Sequence, residues 1–517
     1  MRAAERAAPG SRAAATPRRD DGLVRRLNRG WVAILAVTAI AAIVRVWGLS
    51  SPPSMAFDEN YYAKAACILV GGSDPTCRIE SPNERAFREQ EWDVGSFVHP
   101  PLGKWQIALG IKGFGMDPFG WRVGSAVAGT LAVTGVALMA QLLFGRPIWT
   151  FVAGLLLALE HLSVVLSRLA LLDAHLQLWT VAGFLCLVLD RRWIDQRTRA
   201  GPPVPDDRVV VPSPLWRPWR VAAGVAFGAA VSVKWSGGLG LLAAIVISLM
   251  WETTRRARAG STRGRAFRRA LAQEGFALVV AFVLIPVAVY VITYLPWLHH
   301  FGWRVGELID QQLRIAKYHL FELRTLAEDP QTGALTPTHY AYSRPWTWLV
   351  MTRPVPITWQ DAGTSIRQLL AIGNPIVFWG SVWALPYLAF AWWRKRDWVP
   401  GFFLMAVLVQ YVPWVLAARP QFFFYVAPFV PFLVLGLVYL IRDLADARLV
   451  VREPSGAVAT DPETGRPAVS VWHPYRPIAW TVVIAAAGLF FWFWPVLTWM
   501  EISDAHQKLI VWFPGWN

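Results

Sequence analysis

Residues 31–47 have the sequence WVAILAVTAIAAIVRVW, an apolar run that directly follows an Arg-rich stretch. A run of this length is close to the shortest helix that crosses the roughly 30 Å hydrocarbon core of a bilayer. Similar runs lie at 120–144, 148–166, 171–189, 219–235, 237–251, 274–297, 374–393, 399–417, 422–441 and 478–499. The sequence therefore predicts an all-α polytopic membrane protein of about eleven transmembrane helices. The Gly-interrupted pair at 219–251 could instead be one long helix or a re-entrant pair.

The composition also indicates that lipid is part of the solvent of this chain. Of its 517 residues, 55% are hydrophobic and 16% are charged, and 30 are Trp, a residue favoured at the membrane interface. The net charge of +16 could suggest a nucleic-acid partner. However, the Lys and Arg residues cluster beside the ends of the apolar runs, as in 190–220 and 252–273, which is typical of cytoplasmic loops. The charge pattern therefore argues against nucleic-acid binding.

The same charge pattern predicts the orientation of the chain. Residues 31–47 are interpreted as an uncleaved anchor, because no small-x-small cleavage motif follows them. With the basic N-terminus in the cytoplasm, an odd number of spans places the C-terminus and any outer catalytic site outside the cell membrane. The predicted regions are a disordered cytoplasmic tail at 1–30, a transmembrane domain at 31–499, outer segments at 48–119 and 298–373, a flexible cytoplasmic loop at 442–477, and an outer tail at 500–517.

Two adjacent carboxylates, Asp58 and Glu59, follow the first predicted span by about ten residues. Held at the bilayer interface, one of them could take a proton from a hydroxyl nucleophile, and the like charge of its neighbour would raise the pKa of one member. Alternatively, Asp58 could be the N-cap of a helix that starts near Glu59. The residues alone leave both interpretations open.

Two more features belong to the same outer segment. The motif HPPLGK at 99–104 precedes an amphipathic stretch, so its prolines could start a helix that lies along the membrane surface. Cys67 and Cys77 fall on the predicted oxidising side and could form a disulfide. They could equally be two free thiols, because sequence spacing does not show whether their Cβ atoms meet.

Charged residues at the outward ends of the spans form a second group of candidates. They are Arg122, Arg168, Asp173, Lys234 and Arg419. Charged groups at the membrane are functional candidates by default. Arg168 and Asp173 could pair with each other. Arg122 and Lys234 have no obvious partner in the nearby sequence, so they could bind an anion such as a lipid phosphate, or could extend to the lipid headgroups.

Several enzyme classes lack their motifs in this sequence. It has no Walker loop, no HExxH, no Gly-x-Ser-x-Gly and no zinc-spaced Cys/His cluster, which argues against an ATPase, a metalloprotease and a serine hydrolase. Nothing alternates strands with helices in the manner of a nucleotide-binding Rossmann half. A sugar transferred by this chain is therefore expected to come from a lipid-linked donor.

A set of short motifs, in this order, resembles the protein O-mannosyltransferases, which belong to the GT-C class of membrane glycosyltransferases. The motifs are Phe57-Asp58-Glu59, HPPLGK at 99–104, Trp121-Arg122, RLALLD at 168–173, SVKW at 232–235, and SRPWTW at 343–348 before Arg353-Pro354. The resemblance implies a GT-C-like bundle of eleven spans with amphipathic outer-loop helices. It further implies a polyprenyl-phosphate-mannose donor, Ser/Thr acceptors on exported proteins, inversion at the anomeric carbon and no divalent metal.

The resemblance also implies roles for individual residues. Asp58 would be the general base and Glu59 would position the acceptor. The donor phosphate would be held by Arg122 and Lys234, with Arg419, Gln421 and Tyr425 adding to that site. The outer loop and the site would be organised by His99, Lys104, Arg168 and Asp173. Because the 298–373 segment is too short for the inserted β-trefoil domain of fungal and animal members, the chain resembles the bacterial, especially actinobacterial, branch.

Two other functions fit parts of the sequence. A GT-C transferase with the same donor class could act on a glycolipid or a polysaccharide. A lipid-linked sugar flippase or transporter fits less well, because the predicted number of spans is odd and the acidic pair lies outside the membrane. The family resemblance also suggests docking on the Sec translocon.

Overall fold

The computed structural model describes residues 20–71, 77, 98–199, 216–300, 302–319, 326–328, 335–337, 341–417, 419–447, 449–450 and 471–516. Its helices in the first half of the chain are α1 (Asp20–Val46), α2 (Glu59–Leu69), α3 (Leu102–Phe114), α4 (Pro118–Phe144), α5 (Pro147–Ala158), α6 (His161–Ser167), α7 (Leu172–Arg199), α8 (Pro218–Val233) and α9 (Gly237–Arg258). Those in the second half are α10 (Arg263–Val279), α11 (Ile285–Thr293), α12 (Leu295–His300), α13 (Val305–Lys317), α14 (Pro375–Lys395), α15 (Trp398–Leu416), α16 (Val430–Asp446), α17 (Arg476–Leu497) and α18 (Asp504–Ile510).

Within these described ranges, eight helices are long and apolar enough to cross a membrane. They are Arg29–Val46, Pro118–Phe144, Leu172–Arg197, Gly237–Arg258, Arg263–His299, Pro375–Lys395, Trp398–Leu416 and Arg476–Leu497. The long helix Arg263–His299 consists of α10, a π-helix at Val280–Leu284, α11 and α12. The polytopic helical class is therefore confirmed, whereas the count of eleven is not. Two runs that hydropathy counted as spans, 219–235 and 422–441, correspond to helices of only 16 and 17 residues.

The predicted span at 148–166 is a bent pair of helices, α5 and α6, which meet at an angle of 60°. Glu160 lies at the bend and accepts hydrogen bonds from the backbone N–H groups of Leu162 and Ser163 at 3.1 and 2.6 Å. It also accepts one from the N–H of Asn374, 3.1 Å away at the start of α14. Because the N–H groups at a helix start need acceptors, this buried carboxylate stabilises the bend and joins it to a distant helix.

The uncertain pair at 219–251 forms two helices. Lys234 has an extended backbone (φ −145°, ψ 140°) and ends α8, and α9 begins at Gly237. The alternative of one long helix is therefore wrong. The break places a charged side chain at the interrupted end of an apolar helix.

Strands occur in several of the segments between helices, which the sequence analysis did not predict. The strands β3 (Val355–Asp361), β4 (Ser365–Ala371) and β7 (Glu501–Ser503) form an antiparallel sheet in the order β3-β4-β7. Short antiparallel pairs join β1 (Leu326–Glu328) to β2 (Leu335–Pro337) and β5 (Leu449–Val450) to β6 (Val471–Trp472). The sheet thereby connects the outer segment at 298–373 with the C-terminal tail.

Two predicted flexible regions are partly helical. Helix α1 begins at Asp20, so the described part of the 1–30 tail is ordered as helix, and residues 1–19 lie outside the described residues. Helix α16 continues to Asp446, inside the loop predicted at 442–477. Residues 451–470 of that loop also lie outside the described residues.

Candidate active site

Asp58 directly precedes helix α2 and so occupies the position of its N-cap. However, its side chain makes no capping hydrogen bond, and its backbone has helical angles (φ −69°, ψ −3°) in place of the extended angles usual for a cap. The Tyr62 hydroxyl, one turn further along the helix, donates to the carboxylate over 3.4 Å. The interpretation of Asp58 as a side-chain helix cap is therefore wrong, and its half-buried carboxylate is available for another role.

The surroundings of Asp58 suit a group that exchanges a proton near neutral pH. Burial raises the pKa of Asp58 to about 6, against a lowering effect of Lys234 and with a further rise from Asp173. A base whose pKa lies slightly below the working pH is mostly deprotonated and still basic enough to take a proton. Asp58 therefore meets the chemical requirement for a general base.

Lys234 brings a positive charge to the same site from the break between α8 and α9. Its Nζ donates to Asp173 Oδ2 over 2.7 Å, and both side chains are buried. The ammonium lies 5.7 Å from the ring centroid of Phe424. An ammonium has three N–H donors, so one bond to Asp173 leaves Lys234 able to bind an anion as well. The alternative in which Asp173 pairs with Arg168 is wrong.

Arg419 is a second cation at this site, and its partners are uncharged. Its Nη1 donates to Nδ1 of His319 over 2.7 Å, and its Nη2 donates to the Tyr425 hydroxyl over 3.0 Å. Its Nε is buried and has no hydrogen-bond partner among the described residues, where Arg419 also forms no ion pair with a carboxylate. A guanidinium without a counter-charge is a strong candidate to bind a phosphate.

Ring contacts place these groups around one site. The Tyr62 ring lies 6.1 Å from that of His99, which stacks on His319 at 5.4 Å. The Phe424 ring, beside Lys234, lies 5.8 Å from the ring of Phe57. Burial lowers the pKa of His99 well below its usual range, and both Lys234 and Arg419 lower it further. Lys234 also acts on the pKa of Asp58. The base candidate and both cations are therefore close enough to act on one bound molecule.

Glu59 and Arg122 form a buried structural pair, contrary to the roles predicted for them. Arg122 Nε and Nη2 donate to the two carboxylate oxygens of Glu59 at 2.8 and 2.7 Å, and both side chains are fully buried. The remaining N–H groups of Arg122 donate to the carbonyls of Leu49, Pro52 and Ser54. All five donors are used, so the prediction that Arg122 holds the donor phosphate is wrong.

Glu59 is equally saturated. Besides the two bonds from Arg122, its oxygens accept from the backbone N–H groups of Ala56 and Ala170 at 2.9 and 2.8 Å. A fully buried carboxylate with four hydrogen bonds cannot contact an acceptor peptide, so the predicted acceptor-positioning role of Glu59 is also wrong. The pair instead joins the chain around Asp58 to helix α4 and to Ala170.

Two further predicted residues have structural roles. Arg168 donates to the carbonyls of Val44, Arg45, Trp47 and Gly48, at the end of α1. It therefore stabilises the chain that leaves α1, and it does so without Asp173. The side-chain amide of Gln421 donates to the carbonyls of Trp414 and Ala417 at 2.8 Å each, which closes the end of α15. Both amide N–H groups are used, so Gln421 cannot donate to a phosphate.

His99 and Lys104, predicted to organise the first outer segment, contact each other at the start of α3. Lys104 Nζ donates to the His99 carbonyl over 2.9 Å, which fixes the HPPLGK turn at the start of α3. Burial lowers the pKa of Lys104 to about 7. Cys67 and Cys77 are joined by a disulfide with a Cα–Cα distance of 5.6 Å, which ties the end of α2 to the following chain.

Two site residues were missed by the sequence analysis. Tyr62 lies four positions after Asp58, and this spacing on a helix starting at Glu59 could have identified it. His319 follows α13 in the outer segment at 298–373, and nothing in the local sequence connects it to Arg419, which is 100 positions away.

The chain is similar to a known family and to several curated proteins. The model of the family described as "Dolichyl-phosphate-mannose-protein mannosyltransferase" matches residues 94–301. The chain is 30% identical to the polyprenol-phosphate-mannose--protein mannosyltransferase of Mycobacterium tuberculosis, over 97% of this chain and 94% of that protein. It is 28% identical to the protein of the same name from Corynebacterium glutamicum, over 95% and 94% of the two chains.

A solved structure shows the same fold at low sequence identity. The protein O-mannosyltransferase Pmt1-Pmt2 complex of Saccharomyces cerevisiae, bound to the sugar donor, matches with a TM-score of 0.63 and 13% identity. The match covers 94% of this chain and 92% of the yeast chain. The arrangement of helices is therefore shared well beyond the residues of the family match.

Proposed function

This chain belongs to the polyprenol-phosphate-mannose--protein mannosyltransferases, a family of GT-C membrane glycosyltransferases, and we propose that it moves mannose from a polyprenyl phosphate onto Ser and Thr hydroxyls of exported proteins. The observation that supports this most strongly is the joint placement of a carboxylate without a capping role, Asp58, and two cations, Lys234 and Arg419. A transferase of this kind needs a base for the hydroxyl and positive charge for the leaving phosphate.

The proposed step is an in-line displacement at the anomeric carbon. Asp58 takes the proton of the acceptor hydroxyl as its oxygen bonds to the anomeric carbon, and the bond from that carbon to the phosphate oxygen breaks with the electron pair staying on the phosphate. Lys234 and Arg419 stabilise the charge that grows on the leaving phosphate. Asp173 holds Lys234 in place through their 2.7 Å ion pair. Attack opposite to the leaving group inverts the anomeric configuration.

The orientation of the site is part of the same proposal. The N-terminus is cytoplasmic, and the C-terminus and Asp58 lie on the outer side of the cell membrane, because most Lys and Arg residues between spans then face the cytoplasm. Opposite sides for the two termini need an odd number of spans, which the described residues give when the bent pair α5 and α6 counts as a ninth span. The proposal places the enzyme next to the Sec translocon, where it can reach acceptor segments before they fold.

The test is mannose transfer by the purified protein from a polyprenyl-phosphate mannose to a synthetic Thr-rich peptide, followed by mass spectrometry. Peptide carrying hexose on Thr supports the proposal, and transfer to added glycolipid alone would favour the other acceptor class.

Adding the membrane-impermeant peptide to intact spheroplasts tests the orientation, since only an outer site can modify it. Within the described residues no group of three or more His, Cys, Asp or Glu side chains could hold a metal ion. From the family resemblance we also propose that transfer needs no divalent metal, so that EDTA leaves the rate unchanged.

The proposal predicts a large effect of Arg419→Ala. The variant lacks a cation that meets more charge on the leaving phosphate than on the bound phosphodiester, so transfer should fall roughly 10²–10³-fold, as after loss of one preorganised donor to an oxyanion. The measurement is kcat/KM for the donor. Arg304→Ala is the matched control, because Arg304 is exposed and pairs with Glu307 at the surface. An Arg419→Ala variant as active as Arg304→Ala would remove Arg419 from the phosphate site.

The pH dependence of transfer should follow Asp58. Because burial raises its pKa to about 6 and the base must be deprotonated, activity should be highest above that value and lost as the pH falls through it. Below the pKa, the rate should drop about tenfold per pH unit, in proportion to the deprotonated fraction. The measurement is kcat/KM for the peptide across a pH series with a check that the protein stays folded. A profile that is flat through the region of pH 6 would contradict this assignment.

A further inference from the structure

His319 connects three parts of the site that are distant in sequence. It follows helix α13, and its Nε2 lies 2.8 Å from the carbonyl oxygen of Val98. Its Nδ1 lies 2.7 Å from Nη1 of Arg419. The imidazole ring stacks on that of His99, with centroids 5.4 Å apart and planes 23° apart. A single ring therefore touches the HPPLGK turn on one side and a candidate phosphate ligand on the other.

The two hydrogen bonds determine the tautomer of His319. A guanidinium has only donors, so Nδ1 must be the acceptor in the bond from Arg419. A carbonyl has only lone pairs, so Nε2 must carry the proton that is donated to Val98. The imidazole is therefore neutral. Burial, together with the charges of Arg419 and Lys234, lowers the pKa of His319 to about 4, which agrees with a neutral ring at pH 7.

A neutral acceptor has a particular effect on Arg419. A carboxylate in the same place would orient the guanidinium but would also compensate its charge, leaving less attraction for a bound phosphate. His319 fixes Nη1 without adding negative charge, and the Tyr425 hydroxyl does the same for Nη2 at 3.0 Å. The buried Nε of Arg419 then has no hydrogen-bond partner among the residues described. The guanidinium is therefore oriented by neutral partners, and its positive charge stays uncompensated and can attract an anionic ligand.

We propose that His319 is a positioning residue for donor binding: its neutral Nδ1 holds the Arg419 guanidinium toward the lipid phosphate, while its Nε2–H anchors the ring to the Val98 carbonyl. This inference rests on the proposed role of Arg419 in holding the donor phosphate. It gives the outer segment at 298–373 a part in recognising the donor, in addition to its structural contacts.

Two substitutions separate the two hydrogen bonds of His319. The side-chain oxygen of Asn can replace Nδ1 as an acceptor from Arg419, whereas the amide nitrogen of Gln can replace Nε2–H as a donor to Val98 but leaves no acceptor at the Nδ1 position. His319→Gln should lower kcat/KM for the donor by about ten- to a hundredfold, the usual effect of losing a hydrogen bond to a charged group. His319→Asn should keep the larger part of the activity. The KM for the peptide should not change in either variant.

The control for a general effect of replacing an outer-side His is His506→Gln, because His506 stacks on Trp492 away from this site. An equal loss in His319→Asn and His319→Gln, a greater loss in His319→Asn, or wild-type donor kinetics in His319→Gln would each overturn the proposal.

A double-substitution cycle tests whether His319 acts through Arg419. In an Arg419→Ala background the guanidinium is gone, so adding His319→Gln should change the rate less than about twofold. A full further loss in that background would overturn the positioning role. The proposed function fails separately: if Arg419→Ala alone transfers mannose at the wild-type rate, Arg419 does not hold the phosphate, whatever His319 does.

Discussion

Asp58→Asn is expected to lower mannose transfer by roughly 10²–10⁴-fold, the contribution of a positioned general base. A Thr hydroxyl is a poor nucleophile at neutral pH, and Asn has nearly the shape of Asp without its basicity. The side chain of Asp58 makes no capping bond to helix α2, so the substitution removes no hydrogen bond that holds the helix start. The measurement is transfer to a synthetic Thr-rich peptide by purified variants, together with the thermal stability of each.

Asp117→Asn is the matched control for this prediction. Asp117 is a true N-cap, whose carboxylate accepts from the N–H of Gly120 over 2.7 Å at the start of α4. Asn caps a helix almost as well as Asp, so this variant should keep both fold and activity. If Asp58→Asn transfers mannose as fast as Asp117→Asn, Asp58 is not the base, and Asp173 becomes the next carboxylate to test.

Glu59→Gln is expected to lower the free energy of unfolding, because Glu59 stabilises the fold and takes no part in the reaction. The substitution leaves the Arg122 guanidinium fully buried without its counter-charge. Removal of one partner from a buried ion pair typically destabilises by about 3–5 kcal/mol. Ala56 and Ala170 donate their backbone N–H groups to different oxygens of Glu59. Gln has only one side-chain oxygen, so one of these N–H groups would face an amide nitrogen that cannot accept a hydrogen bond. The variant should show a lower midpoint of thermal unfolding and a smaller monodisperse fraction in detergent.

The same chemical change at the surface provides the comparison. Glu501 pairs with Arg367 over 3.1 Å, and both side chains are about half exposed. Solvent screens such a pair, so Glu501→Gln should leave thermal stability nearly unchanged. A Glu59→Gln variant that is as stable as Glu501→Gln but inactive would restore Glu59 to a catalytic role.

The parts of the fold that depend on local sequence could be predicted. Apolar runs identify the long helices because each residue adds independently to the hydropathy of its own segment. The number of spans could not be predicted from the same runs, because apolar content does not reveal where a helix ends. Glu160 lies at the bend between α5 and α6, inside the run 148–166 that hydropathy treats as continuous. Lys234 ends α8 at 16 residues, too short to count as a span, although the apolar run 219–235 gives no sign of this.

The sequence identifies candidate site residues whose charge is unusual in their own segment. It gives wrong roles to residues whose role depends on a distant partner in the fold. Asp58 and Lys234 were identified because a carboxylate or an amine beside apolar sequence is unusual. The pairing of Arg122 with Glu59 spans 63 positions. A sequence in which Arg122 has no nearby acid gives no sign that all five of its donors are used in the folded protein. The same absence of a local partner is informative for Arg419, whose partners in the fold are neutral.

The sheet in the order β3-β4-β7 has a consequence for the biosynthesis of the protein. Strand β7 pairs with residues 365–367 of β4 and follows α17, so it is synthesised after all the candidate spans of the described residues. Until then, β4 has one edge without its partner. In the same stretch, Trp516 donates from Nε1 to the Met351 carbonyl over 2.5 Å. The sheet and this contact therefore form only after α17 has been synthesised, and a chain cut before β7 keeps the preceding helices while one edge of β4 stays unpaired.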